Sequence, residues 1–300
     1  MIDRNRWRGL KDLLASRLML GATIFASALV VFIAIGLLIK SWPILALKPL
    51  PDLIFSSAWS PMRGAFGFWP FIVGTFAVTA VALVIAVPLC ILTAIYLAEY
   101  APGYIRNAAK PVIDLLAGIP SVVYGLCGLL AVVPAVRELA ALCGVATGGY
   151  NVLSGGIVLA VMVFPIIIAI SEEVIRNVPD GMREVPVALG ATKWQATRLI
   201  VTHSALPGIM AAIILGFSRA FGETMAVLMV VGNVAKIPAS VFDPAYPLAA
   251  LIANNYGEMM SIPLYDAAIL FAALVLLVLV VLFNLGASYI LIKVENRYAA

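Results

Sequence analysis

Six apolar runs, each long enough to cross a bilayer, constrain this chain more than any other feature. Their cores are 18–39, 70–97, 112–136, 152–175, 206–231 and 265–292. A helix needs roughly 20 apolar residues to cover the hydrocarbon layer, and in that layer only structures that satisfy every backbone amide internally are viable. The runs predict an all-α membrane protein with six transmembrane helices and both termini on one side. Composition agrees: 64% of the 300 residues are hydrophobic and 11% are charged, against a charged share of ~25% in soluble domains. Prolines inside the runs, notably Pro88, Pro120 and Pro165, predict kinks or breaks, because in membranes neighbouring groups re-satisfy the freed backbone.

Residues 1–17 are basic and amphipathic and read as a cytoplasmic segment ahead of a transmembrane domain at 18–300. The first apolar run is too long for a signal-peptide core and has no small-residue cleavage site, so it is expected to remain as the first span. Between the first two runs, Trp42, Pro43, Pro49, Pro51, Trp59 and Pro61 predict an ordered loop lying on the bilayer, since tryptophan prefers the interface.

Orientation comes from the 19 Lys and Arg residues. Lys40, Lys48, Arg63, Arg137 and Lys236 fall on one side and Arg219 lies within a run; the remaining thirteen share the side of the termini. The positive-inside rule then places both termini and the loop 176–203 in the cytoplasm. The net charge of +4 implies no nucleic-acid surface. A single histidine, His203, excludes a histidine-based metal cluster or proton relay within the chain. Cys90, Cys127 and Cys143 form no close-spaced metal or redox motif and read as packing residues. No nucleophile triad, phosphate-cradling glycine loop or zinc spacing occurs, so no catalytic residue, metal or cofactor is expected.

The one long polar interruption is RNVPDGMREVPVALGATKWQATRLIVTH, 176–203. Gly190 occupies the position of a residue just past a helix end, and Thr192 with Gln195 forms a capping box that starts a second helix. Pro186 limits the first helix to a start near Arg183 or Glu184, because a proline ring inside a helix removes a hydrogen bond. The loop is expected to be two short helices around a glycine hinge, a shape suited to docking a cytoplasmic partner.

One pair of charges lies deep in a span, Arg219 and Glu223, in LGFSRAFGETMAV. Four residues apart, they are expected on one helix face. An ionisable residue at that depth costs at least ~2.5 kcal/mol and is a functional-site hypothesis by default. Contact with a transported anion and an ion pair that fixes packing remain equal alternatives. Ser218, Thr224 and Asn233 offer hydrogen bonds nearby, while Asp114 and Glu172 read as boundary carboxylates at cytoplasmic span ends.

Glu184, Ala188, Gly190 and Ile200 resemble the EAA motif of ABC importer permeases: Glu184, Gly190 and Ile200 keep its spacing, Val185 and Pro186 replace its alanines, and Thr202 and His203 replace its final Leu and Pro. The stretches FGFWPFIVGTF (Phe66–Phe76), LLAGIPSVVYG (Leu115–Gly125) and SRAFGETMAVLMVVGN (Ser218–Asn233) are similar, in order, to the C-type permease subunit of phosphate-specific ABC importers. That resemblance implies the type I ABC importer permease fold with a cytoplasmic coupling helix pair, and a multi-pass subunit of the inner or plasma membrane. The implied partners are a second, A-type permease, two copies of an ATPase subunit and an outer-face phosphate-binding protein. It also implies that the span bearing Arg219 and Glu223 lines the route. Physics alone leaves open a permease for another oxyanion, such as sulfate, molybdate or phosphonate, since an arginine recognises anionic charge without fixing its identity. A stand-alone channel or ion-coupled carrier fits less well, because the sequence shows neither inverted repeats nor several buried carboxylates.

Overall fold

In the computed structural model, which describes residues 2–258, 262 and 264–298, the apolar runs become helices. Helix α1 (Ile2–Leu47) is continuous from the basic segment through the first run; at ~1.5 Å per residue it is far longer than the bilayer is thick. A surface helix α2 (Leu50–Phe55) and a two-stranded hairpin, β1 (Trp59–Ser60) with β2 (Ala65–Phe66), follow. Helix α3 (Trp69–Ile95) runs on into a π turn at Tyr96–Tyr100. Next come α4 (Gly103–Gly118), α5 (Ser121–Cys127), α6 (Val133–Leu142) and α7 (Val152–Arg176). The polar loop holds α8 (Gly181–Ala188) and α9 (Lys193–Leu199). The chain ends with α10 (Leu206–Phe221), α11 (Met225–Leu228), α12 (Leu248–Asn255) and α13 (Tyr265–Tyr298). Among the described residues five helical stretches are long and apolar enough to cross a membrane, and α10 is a shorter apolar helix.

Two of the expected spans are not single helices. The run at 112–136 is divided: residues up to Gly118 belong to amphipathic α4, and a continuous stretch long enough to cross is Ser121–Leu142. The break falls at Ile119 and Pro120, both extended, as expected of a residue preceding proline. The Tyr124 hydroxyl donates to Leu116 O across it at 2.7 Å. The run at 206–231 is likewise broken after Phe221, with Gly222 at the helix end and only the short α11 beyond.

Helix α7 is central, packed on α3, α10 and α4. Small residues let the backbones approach, as is usual where lipid removes the hydrophobic drive between helices. A Cβ on Gly156 would stand 2.4 Å from the Val81 side chain, beside fully buried Ala82, Ala86 and Ala160. The first three amides of α7 are satisfied from outside the helix: Val152 N by Asp243 O, Leu153 N by Val241 O and Ser154 N by the Asn151 side chain. This answers the orphaned donors of a helix start and fixes the loop 236–247 over it. Aromatic residues close the same end. Phe66, Phe68 and Phe71 are buried with Tyr246, Tyr265 and Phe271, and the Trp59 ring lies 4.8 Å from that of Phe71. A smaller cluster of Ala94, Ile95, Ala98, Ile175, Val178, Ile200, Ala205 and Ile209 underlies the α8–α9 loop at the opposite end. Helix α1 touches mainly α13 and leaves Phe25 and Phe32 exposed, a surface that suits lipid.

Candidate functional site

One cavity lies between α4, α7 and α10, close to where α4 and α10 end. It is an open space of about 590 Å³ lined by Asp114 and Ala117 of α4, Pro165 of α7, and Ser218 and Arg219 of α10 among others. Irregular backbone at membrane depth is tolerated only where protein or a water-filled cavity satisfies it, which suits helix ends beside such a space. A second cavity of about 340 Å³ shares Ile113, Asp114 and Ala169 with the first and continues to Arg106, Lys110, Glu172 and Arg176. Together they form a groove from mid-depth to the end that carries the α8–α9 loop.

Arg219 is in the last turn of α10, exposed to the cavity, and makes no ion pair or hydrogen bond with any described residue. It lies within electrostatic range of the Tyr124 hydroxyl. Glu223 does not share its helix face, which corrects the expectation from four-residue spacing. The helix ends before it, because Gly222 terminates α10, and Glu223 instead accepts a 3.2 Å hydrogen bond from Ala226 N at the start of α11. Its carboxylate faces a narrow crevice beside Thr75, Thr79 and Val227, on the α3 side. Ser218 lines the cavity and its Oγ lies 2.6 Å from Asn284 Oδ1, tying α10 to α13. Thr224 bonds back to Gly222 O at 3.3 Å within the break. Asn233, with φ +52°, donates to Leu228 O. Asp114, read from the sequence as a boundary residue, lines both cavities. The sequence pattern did not show this placement, because α4 ends at Gly118 and packs against α7 instead of continuing as one span.

The polar loop is the capped helix pair, with one boundary moved. Helix α8 starts at Gly181, two residues before Arg183, because the turn at Pro179–Asp180 already supplies carbonyls to Met182, Arg183 and Glu184. Pro186 sits inside the helix, and its carbonyl accepts from Ala191 N while Gly190 N donates to Val187 O. This is the Schellman pattern, and Gly190 takes the left-handed φ of +87° that it needs. The Thr192–Gln195 capping box has both its bonds, 2.8 and 3.3 Å. Glu184, Ala188 and Gly190 are exposed, whereas Ile200 is buried in the cluster beneath. Met182, Val185, Val187 and Trp194 are exposed too, and Leu189 is 85% exposed. Such a cluster of apolar side chains on a polar loop is the signature of a protein contact.

Sequence reasoning passed over Arg183, whose guanidinium joins three elements. Nε donates to Glu99 Oε1 at 3.1 Å, and Nη1 and Nη2 reach Asp180 and the carbonyls of Ile175, Arg176 and Val178. Its signal in the sequence was only a basic residue following a helix end.

A multi-pass helical protein with an open cavity between its helices, and with an exposed, capped helix pair on its polar loop, fits the class of membrane permeases. The chain belongs to the family of binding-protein-dependent transport system inner membrane components, whose model matches residues 90–295. It is 39% identical over 254 residues to a probable ABC transporter permease protein of Bacillus subtilis, covering 84% of this chain and 81% of the relative. It is 34% identical over 299 residues to the phosphate transport system permease protein PstC of Mesorhizobium japonicum, covering 93% and 91%. A similar relation, 32% over 256 residues and covering 80% and 81%, holds to a probable phosphate permease PstC of Methanocaldococcus jannaschii. Among solved structures, inward-facing MetNI methionine ABC transporter matches with TM-score 0.56 at 21% identity, covering 79% of this chain and 99% of that one. A transporter that imports the polysaccharide alginate matches with TM-score 0.54 at 16% identity, covering 75% and 79%. These establish the type I importer permease fold. The chain is a non-catalytic membrane subunit that works with an ATPase, a second permease and a substrate-binding protein.

Proposed function

We infer that the chain is the transmembrane permease subunit of an ATP-driven importer for inorganic phosphate, forming half of the translocation pathway. The observation that carries the chemistry is Arg219, a permanent cation facing a mid-depth cavity with no carboxylate paired to it among the described residues. An arginine keeps its charge in almost any environment, and an unpaired charge at this depth is costly. A transient anionic partner therefore gains most there. Relatives that carry the name phosphate transport system permease support phosphate, ahead of other oxyanions, as the cargo of this chain.

Ser218 and Arg219 are assigned to the pathway wall, and Glu223 and Thr224 to the break next to it. On this reading Glu223 becomes the counter-charge of Arg219 only when the Gly222 joint rearranges, and repels phosphate so that it is not held tightly. Glu184, Ala188 and Gly190 face the ATPase, and Ile200 anchors their loop. The finer partners are an A-type permease, two ATPase copies and a phosphate-binding protein on the outer face. Both termini lie in the cytoplasm, in accord with the uneven distribution of Lys and Arg. The domain division, a segment at 1–17 and a permease domain at 18–300, is kept with it.

The test is uptake of labelled phosphate into vesicles bearing the complete complex, with unlabelled phosphate, sulfate, molybdate and a phosphonate as competitors. Only unlabelled phosphate should compete at concentrations near that of the label. Equal or stronger competition by another oxyanion would transfer the assignment to that ion, and uptake without ATP would point to a channel or carrier.

A further inference from the structure

The cytoplasmic end of the helix core is held by two arginines, and one of them reaches into the docking loop. Arg106, on α4, donates from Nε to Leu97 O at 2.9 Å and from Nη2 to Ala98 O and Ala101 O. It thereby satisfies carbonyls where α3 ends. Arg183, on α8, does the same for α7 through Ile175 O at 2.8 Å, Arg176 O and Val178 O. The last carbonyls of a helix have no partner within it, so each arginine meets a real demand. Arg183 does one thing more: it pairs with Glu99, whose side chain is only 8% exposed, in the π turn that extends α3. The next residue of that turn, Tyr100, takes the Lys193 ammonium of α9 over its ring at 4.6 Å. Two adjacent residues at the end of α3 thus grip the two helices of the loop, one each.

We propose that the Glu99–Arg183 pair is the strut that carries motion of the docking helix into the α3–α7 core. The argument is mechanical. A helix pair joined to the core only through the segments at 177–180 and 200–205 would absorb a displacement in those links. A nearly buried ion pair with several hydrogen bonds instead makes α8 and the ends of α3 and α7 move as one piece. Breaking one partner of such a pair leaves an uncompensated charge that must be re-solvated, so the link is either intact or lost. The α3–α7 pair also carries Pro165, which borders the mid-depth cavity, so the same rigid piece reaches the passage. Arg183 and Glu99 are positioning residues: neither lines the cavity that holds Arg219. Lysine cannot replace Arg183, because an ammonium lacks the planar fork that serves a carboxylate and several carbonyls together.

The proposal rests on the reading of the chain as an ATP-driven permease and is tested in the complete complex with its ATPase and binding protein. Phosphate uptake and ATP hydrolysis are measured together for the unaltered chain, Arg183→Lys and Glu99→Gln. Expected are assembled complexes that still hydrolyse ATP but take up about tenfold less phosphate per ATP than the unaltered complex, with stimulation of hydrolysis by the loaded binding protein reduced in step. An unchanged ratio of uptake to hydrolysis in both assembled variants would overturn the strut. Failure of both to assemble would overturn it too, since the residues would then serve folding alone. No phosphate uptake by the unaltered complex would instead defeat the functional reading on which it rests.

Discussion

Arg219 and Glu223 have different neighbours, and their substitutions should differ accordingly. Arg219→Gln removes the cation that lines the larger cavity while leaving α10 packed through Ala212, Gly216, Phe217 and Ala220 on its buried face. Phosphate uptake should fall at least tenfold, the equivalent of ~1.4 kcal/mol or more, with normal amounts of complex in the membrane. Full uptake in this variant would remove Arg219 from the pathway. Glu223 accepts from Ala226 N, so Glu223→Ala should also lower stability by about 1 kcal/mol, the usual net worth of such a bond. Glu223→Gln keeps an acceptor and should not. Exchanging the two residues should fail to restore uptake, since it moves the cation off the cavity wall that Arg219 lines, whether or not the pair forms when the Gly222 joint rearranges; an active exchange variant would remove the anion-contact role.

At the scale of single elements the decisive positions are those where backbone geometry leaves no choice. Gly190 at φ +87° has open space around it, so a side chain there meets no clash. The cost of Gly190→Val is therefore conformational, ~1–2 kcal/mol for a left-handed residue, and it falls on the Schellman turn between α8 and α9. The complex should reach the membrane, while uptake driven by ATP falls severalfold; normal transport with the ATPase bound would refute a hinge at this position. Gly156 is the opposite case. A Cβ would press on Val81, and over-packing of a tight helix contact costs ~1–3 kcal/mol. Gly156→Val should accordingly reduce the melting temperature of the purified chain in detergent as well as its amount in the membrane. An unshifted melting temperature would show that α3 and α7 separate without penalty.

At the scale of the whole molecule, the prediction is one of sidedness. In a cysteine-free background, Thr192→Cys should react with a membrane-impermeant thiol reagent only from the cytoplasmic face, and Ser240→Cys, on the loop over the start of α7, only from the outer face. The reverse pattern would invert the molecule. What the sequence determined by itself is whatever depends on local pattern: the apolar runs, because spanning requires length and hydropathy within one segment, and the capping box and glycine turn of the docking loop, because caps are set by residues two to five positions apart. The resemblance of three stretches to phosphate permeases was legible for the same reason, being a matter of order along the chain. Tertiary structure decided what depends on residues far apart in sequence. It placed Asp114 of α4 beside a cavity shared with Arg219, and it brought Glu99 to Arg183 across 84 positions of chain. It also separated Arg219 from Glu223, because helical spacing holds only while the helix continues, and Gly222 ends it. A local rule reaches as far as the hydrogen-bonded segment it describes; beyond a break, packing against other helices sets where each side chain goes.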